Sequence, residues 1–323
     1  MRIGMRTGMR GGMHSGDDPM HRSAARIAGL GRGTTLTHSF RAAAATLRLD
    51  PGQLPIRDRA VLRILNRARL ANAEQLGILV YRNRHYAQIR LRRLWDLGYL
   101  ERSGLPPPTG IGGSPYVYRL APAAIARLGY APRPWRGPGY VAHTLDAVEA
   151  VCALIRASDP ETRPVLLRWL PESIVVDVLP AGPAADTVVV IAADDGPATL
   201  CLEIDEGNQH LAPIRDKLRI YRGALDGRPG WHVLFVVPTA DRAAWLRRAA
   251  REVRDGSAWV TTLDELRGRG LGARLAPVPG PSATPMVLGG LGAGPSPLAG
   301  PAVGSRRWLE LLGSGGAETS HSV

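Results

Sequence analysis

Residues 186–205 read DTVVVIAADDGPATLCLEID, a β-branched run, a turn and a second apolar run that ends in acids. Asp194-Asp195-Gly196-Pro197 is a strong turn signal, because Asp and Gly accept the backbone angles of a tight turn and Pro fixes its own φ. A hairpin folded near residue 195 brings the start of its first strand beside the end of its second. Asp186 and Glu203 lie about equally far from that turn, so they are expected to face one another across the pair. Glu203 and Asp205, two residues apart, share a face of the second strand. Three converging carboxylates cost free energy unless a cation neutralises them. Mg²⁺ is the natural cation, since it takes oxygen ligands and commonly engages substrate phosphates. Asp186, Glu203 and Asp205 are therefore the candidate metal ligands.

The helix expected next, LAPIRDKLRIYRGAL, carries Lys217 and, four residues on, Tyr221 on the same face. Lys217 is the only lysine among 41 basic side chains. Ammonium is compact and guanidinium is a wide planar fork, so a lone lysine among arginines marks a place where the two are not interchangeable. Pointing back across the strand end, Lys217 would position a water or stabilise charge on a phosphate in transfer. Around this core HTLDAVEAVCALIRAS, from His143, reads as a helix, and ADRAAWLRRAAREV as another. PVLLRWL, SIVVDVL, WHVLFVV and SAWVTTL read as strands, which completes an α/β unit. Trp169 and Trp231 are expected in its core or at a domain interface.

Upstream lies a different kind of segment. IRDRAVLRILNRARL, residues 56–70, puts Ile56, Ala60, Val61, Ile64, Leu65 and Ala68 on one helical face. Asn72 with Gln75 forms a capping-box signature opening AEQLGILVY. Asn83 precedes a third helix, RHYAQIRLRRLWDLG, closed by Gly98. Its expected apolar set is Tyr86, Ile89, Leu91, Leu94 and Leu97, with Arg84, His85, Gln88, Arg92 and Arg93 toward solvent. Two short strands, YLER and PYVYRLA, come next, joined by SGLPPPTGIGGS. Three helices and a two-stranded wing make a winged helix-turn-helix, whose third helix enters the major groove of duplex DNA. Arg84, Gln88, Arg92 and Arg93 are the candidate DNA contacts.

The charge distribution agrees with that division. The chain has 323 residues and a formal net charge of +13. Residues 55–136 alone carry a net +11, residues 137–270 a net −4, and the flanks 1–54 and 271–323 a net +5 and +1. A basic segment beside a mildly acidic one suits a polyanion reader joined to a unit that holds metal ligands. Residues 1–54, poor in large apolar side chains, are expected to be disordered. The Pro- and Gly-rich stretch 276–304 is expected to be too broken for a packed element, with SRRWLELLG (305–313) a short amphipathic helix after it. No apolar run approaches the ~18 residues of a membrane span, so a soluble cytoplasmic protein without membrane contact is expected. Cys152 and Cys201 sit in apolar segments and read as reduced core residues.

Together the winged helix, His143, the AAD-TVVV strand, the LEIDEG strand and the K-x-x-x-Y helix resemble the replication-relaxation proteins of bacteria, plasmids and integrative elements. The resemblance covers about residues 55–265 and neither tail. It implies an α+β chain in which a winged helix-turn-helix (55–136) precedes a restriction-endonuclease-like α/β domain of the PD-(D/E)XK type (137–270). Residue by residue, Asp186 matches the aspartate of the PD element and Glu203 the acid of the E-x-K element. Lys217 matches a lysine displaced onto the following helix. His143, Trp169 and Tyr221 take supporting positions. Ala185 stands where that family pattern has proline, and Asp205 where it has lysine. The implied function is DNA binding in plasmid or mobile-element replication or transfer, with Mg²⁺-dependent nicking or cleavage of DNA by Asp186, Glu203 and Lys217. Its partners would be double-stranded DNA, replication or relaxase proteins, and a second copy as a homodimer. The rival reading is a non-catalytic replication or transcription regulator whose second domain keeps a degenerate nuclease fold.

Overall fold

The structure, a computed structural model, describes residues 40–43, 46–104, 116–132, 137, 139–157, 165–172, 175, 178–179, 182–249, 258–278, 286–294 and 303–314. The architecture is mixed α/β, with a four-stranded and a seven-stranded sheet among the described residues.

The basic segment forms around α1 (Ile56–Ala68), α2 (Ala73–Leu76) and α3 (Arg84–Asp96). The capping box is made: Asn72 Oδ1 accepts from Gln75 N at 2.9 Å while Gln75 Oε1 accepts from Asn72 N at 3.1 Å. The expected second helix is not uniform, since Gly77–Tyr81 widens into a π-type turn. At Gly77 a Cβ would stand 3.2 Å from Arg84 Cα, so glycine there lets the start of α3 cross closely over α2. Asn83 caps α3 by accepting from Tyr86 N at 2.9 Å, and Gly98, at φ 86°, leads the chain out. The strands β3 (Leu100–Gly104) and β4 (Tyr116–Leu120) then pair antiparallel. β1 (Arg41–Ala42) flanks β3, and β2 (Ala71–Asn72), between the first two helices, flanks β4. The loop between β3 and β4, residues 105–115, lies outside the described residues.

A short α4 (Pro122–Arg127) and the long α5 (Gly139–Arg156) lead into the larger sheet. Its order is β11-β10-β9-β8-β7-β6-β5. The strands are β5 (Leu166–Pro171), β6 (Thr187–Ala193), β7 (Gly196–Ile204), β8 (Trp231–Val237), β9 (Ala258–Thr262), β10 (Arg274–Val278) and β11 (Met286–Val287). The three strands β7, β8 and β9 run parallel, and the flanking pairs are antiparallel. β6 and β7 form the expected hairpin, with Ala193 opposite Gly196 and Thr187 opposite Leu202. Gly196 takes φ 132°, which a side chain would resist. α6 (Leu211–Leu225) and α7 (Ala240–Ala249) supply the helices between the parallel strands, and α8 (Leu263–Arg269) comes after β9.

Alternation along β7 and β8 assigns the two faces. Leu200, Leu202, Leu234 and Val236 join a core that runs without a break through Val151 and Leu154 of α5 to Leu65, Leu79 and Leu94 of the basic segment. Cys201, Val233 and Phe235 lie in a second core with Ile214, Leu218 and Tyr221 of α6. Both cysteines are free and buried. None of the described helices is long and apolar enough to cross a membrane.

Five expectations change. In SIVVDVL, expected as a strand, Val175 and Val178 are helical, and Leu179 N bonds Val175 O at 3.0 Å. Its apolar Val175, Val178 and Leu179 fit helical spacing as well as a buried strand, and a short apolar run does not distinguish the two. Tyr86 and Ile89 are not buried; they are 46% and 53% exposed, because the inward stripe of α3 is Ala87, Leu91 and Leu94. Helix α5 starts at Gly139, which puts His143 inside it rather than at its start. The stretch 276–304 is not wholly unpacked: β10 and β11 pair, and Leu288 and Leu291 are buried. Pro277 is tolerated because β11 reaches only Arg274 and Leu275, so that among the described residues the outer edge beside the proline has no strand partner. Within 1–54, residues 1–39 lie outside the described part, but Arg41–Ala42 pairs with β3, Asp50 caps a turn at Pro51–Gln53 and Leu54 is buried. The helix expected at 305–313 is α9 (Arg306–Ser314), with Trp308, Leu309 and Leu312 buried in the core that includes α1.

Candidate functional site

The hairpin register, carried one step past Thr187 and Leu202, sets Asp186 opposite Glu203 at the open end of the strands. Helices from both faces of the sheet meet there. From α5, His143 Nε2 lies 2.9 Å from Asp186 Oδ1. Asp186 Oδ2 accepts the backbone N–H of Ile204 at 2.7 Å, which ties the two strand ends together. From α6, Lys217 Nζ donates to Glu203 Oε2 at 2.5 Å and the Tyr221 hydroxyl to Glu203 Oε1 at 2.5 Å. The lone lysine thus points inward onto the acid rather than into solvent, and Lys217 and Tyr221, one helical turn apart, clamp one carboxylate from one side.

Glu203 is 2% exposed. Burial, and then repulsion from Asp186, pushes its pKa up to about 7, against the opposing pull of Lys217 and Tyr221. Burial works against the charged form of Lys217, but the Glu203 carboxylate outweighs it and holds the ammonium pKa above its ordinary value. His143 shows the same balance: burial disfavours the imidazolium, and the hydrogen bond and charge of Asp186 more than offset it. Burial and the Glu203 charge raise the Tyr221 hydroxyl well above its ordinary value, in keeping with its role as hydrogen-bond donor to Glu203.

Asp205 does not join this group. Arg242 of α7 takes both its oxygens, Nε at 2.6 Å and Nη2 at 3.2 Å, and Gly207 N donates to Oδ1 at 2.9 Å. Among the described residues, no three His, Cys, Asp or Glu side chains converge as a metal-holding group. The predicted trio does not fit Mg²⁺ as it stands: Glu203 is closed off by Lys217 and Tyr221, and Asp205 by Arg242. Asp186, bonded by His143 and by Ile204 N, is the least buried of the three, its side chain 18% exposed. It lines a cleft with His143, Tyr140, Trp169, Arg67 and Arg69, where the last turn of α1 meets α5 and β5. Trp169 is fixed by donating Nε1–H to Thr187 Oγ1 at 3.0 Å, and the Arg69 guanidinium lies 5.3 Å from the Tyr140 ring centre. Glu172 lines the same cleft, accepting the Tyr140 hydroxyl at 2.7 Å and lying 4.0 Å from Arg69, so the cleft joins a His–Asp pair and a second carboxylate to two arginines.

Sequence reading missed Arg242, Asp146, Glu206 and the cleft arginines. Arg242 sits in an ordinary-looking helix and becomes visible only when the parallel strands, with α7 packed on β8 and β9, bring it to Asp205 just past the end of β7. Asp146, one turn after His143, and Glu206, next to Asp205, could have been flagged by spacing. Each has a buried oxygen without a hydrogen-bond partner among the described residues, Asp146 Oδ1 and Glu206 Oε1. Burial raises both pKa values, that of Asp146 to about 7.

The second candidate surface is α3. Arg84, Gln88, Arg92 and Arg93 are all exposed. Arg92 also pairs with Asp96 at 3.2 Å, and Arg102 of β3 stacks 3.7 Å from the Trp95 ring centre and 4.3 Å from that of Tyr116. Arg90 is different: it turns inward to the buried Asp58, which also accepts the Tyr81 hydroxyl at 2.8 Å. The helix thus separates arginines that hold the fold from arginines that face outward.

No curated protein and no solved structure matches this chain. The family model described as replication-relaxation matches residues 62–231, a span that includes α3, His143, the hairpin acids, Lys217 and Tyr221. The chain belongs to the replication-relaxation family.

Proposed function

We propose that this protein binds duplex DNA in replication, reading it with a winged helix-turn-helix whose recognition helix is α3. The observation that carries the reading is the outward face of α3, where Arg84, Gln88, Arg92 and Arg93 stand exposed while Ala87, Leu91 and Leu94 anchor the helix. The net charge of +11 over residues 55–136 and the order helix, short strand, two helices, hairpin support it. Membership of the replication-relaxation family suggests the setting in replication or relaxation, of a plasmid or mobile element. Duplex affinity should fall steeply with salt, and Arg92→Glu with Arg93→Glu should weaken binding and flatten that slope by about one phosphate contact per residue. Unchanged affinity and slope in the double variant would overturn the assignment.

A second reading adds phosphodiester hydrolysis in a nuclease-like α/β unit. It is favoured by the inward Lys217–Glu203 contact at 2.5 Å beside Asp186. The Arg242–Asp205 pair weighs against it, since it removes one of the expected metal ligands. Incubation of supercoiled DNA with the protein and Mg²⁺ or Mn²⁺ separates the readings. Nicking by wild type that Lys217→Ala abolishes supports hydrolysis. Intact plasmid with both leaves a non-catalytic replication or transcription regulator.

A further inference from the structure

Burying Ala87, Leu91 and Leu94 leaves α3 with an outward face that is not simply basic. At its middle stands Ile89, 53% exposed, and one turn before it Tyr86, 46% exposed. The helical neighbours of Ile89 at three and four residues are His85, Tyr86, Arg92 and Arg93, all exposed, with Gln88 beside it. Other large exposed apolar residues, such as Ile56, Ile220 and Val287, are scattered through other elements, as single exposed apolar residues ordinarily are. Tyr86 is not loose either: its ring meets Tyr81 edge-on at 5.6 Å between centroids. An apolar side chain bordered by Arg92 and Arg93 on one side and by His85, Tyr86 and Gln88 on the other suits an occupant that is anionic at its rim and apolar at its middle.

Duplex DNA has that pattern in the major groove, where phosphates flank base edges and thymine presents a methyl group. We infer that Ile89 reads a thymine 5-methyl group, with Gln88 placed for the adjacent adenine edge and Tyr86 packing beside them, so that the protein is specific for a site containing an A·T step. This rests on the DNA-binding reading above. Gln is the side chain suited to bidentate bonding at adenine N6 and N7, and aliphatic groups are suited to the methyl. The outward arginines would then supply affinity, and the Gln88–Ile89 pair the selectivity.

The test starts with the full chain and a library of randomised DNA duplexes, from which bound sequences are enriched. In the enriched duplex each thymine is replaced singly by deoxyuridine, which lacks only the methyl group. One replacement should weaken wild-type binding about fourfold, the value of one buried methyl group. Ile89→Ala should bind the parent duplex correspondingly less well, should be indifferent to that same replacement, and should keep the wild-type salt slope. Ile89 is exposed, so the variant should fold, and an unchanged circular dichroism melt checks that. The inference is overturned if every uracil replacement is neutral, if the methyl dependence survives in Ile89→Ala, or if duplex binds without any sequence enriching. It is also overturned if Ile89→Ala turns a wild-type dimer into monomers while methyl dependence is unchanged, since a second copy would then occupy the face. Failure of wild type to bind any duplex would instead remove the DNA-binding reading itself.

Discussion

Arg242 grips Asp205 with two nitrogens, and that pairing changes what the acidic strand end is able to do. An isolated buried carboxylate is costly, so a nearby guanidinium is a stable solution that also takes the acid out of service. Glu203 reaches the same end through Lys217 and Tyr221. Burial still lifts Glu203 to about 7. Asp146 lacks even such hydrogen bonds at its buried Oδ1 among the described residues, and burial, against the opposing charge of Arg267, lifts its pKa from 3.8 to about 7. The folded chain therefore keeps a proton on Asp146 that the unfolded chain releases. Wherever the folded state binds more protons, stability falls as pH rises, here between the ordinary carboxyl value and about 7. Asp146→Asn should accordingly raise the melting temperature at about pH 8, do little at about pH 4, and flatten the decline between them. A decline unchanged in the variant would show that the proton resides elsewhere.

At the scale of elements, α9 is the clearest addition to what periodicity offers. Its Trp308, 5% exposed, belongs to the same core as α1. Trp308→Ala should cost about 3 kcal/mol or more in urea unfolding, since a large buried ring leaves a cavity. A loss under about 1 kcal/mol would mean that α9 rests on the surface without supporting it. The amphipathic pattern of RRWLELLG was legible, but the surface that receives it was not, because docking across the length of the chain leaves no local trace. The β6–β7 hairpin was legible almost to the residue, since Asp-Asp-Gly fixes a two-residue turn and a turn fixes register. Register then delivered Asp186 opposite Glu203, and helical spacing delivered Lys217 with Tyr221. Asp205 went astray for the complementary reason: its partner arrives from α7, beyond a parallel crossover that spacing does not encode. On α3 the error was one of phase. Tyr86 and Ile89 are apolar, and apolarity argued for the inside, whereas the Ala87–Leu91–Leu94 stripe had already filled it.

The whole molecule is joined more tightly than its charge division suggests. Gln75 of α2, which packs on α3, donates Nε2–H to Leu145 O at 2.8 Å. Glu149, 2% exposed, receives Arg156 at 2.6 Å and Arg267 at 3.3 Å, while Arg156 also reaches Glu74 at 3.1 Å. One apolar core passes through this junction from α1 to β8. Units that share a core unfold together, so urea curves monitored by far-ultraviolet circular dichroism and by tryptophan fluorescence should coincide in a single transition. Two separated midpoints would show that the junction yields first. The buried junction around Glu149 would also serve as a ruler. If α3 seats on duplex DNA as proposed, the cleft at Asp186 would stand a constant number of base pairs away, and whatever it touched would be chosen by distance as much as by sequence.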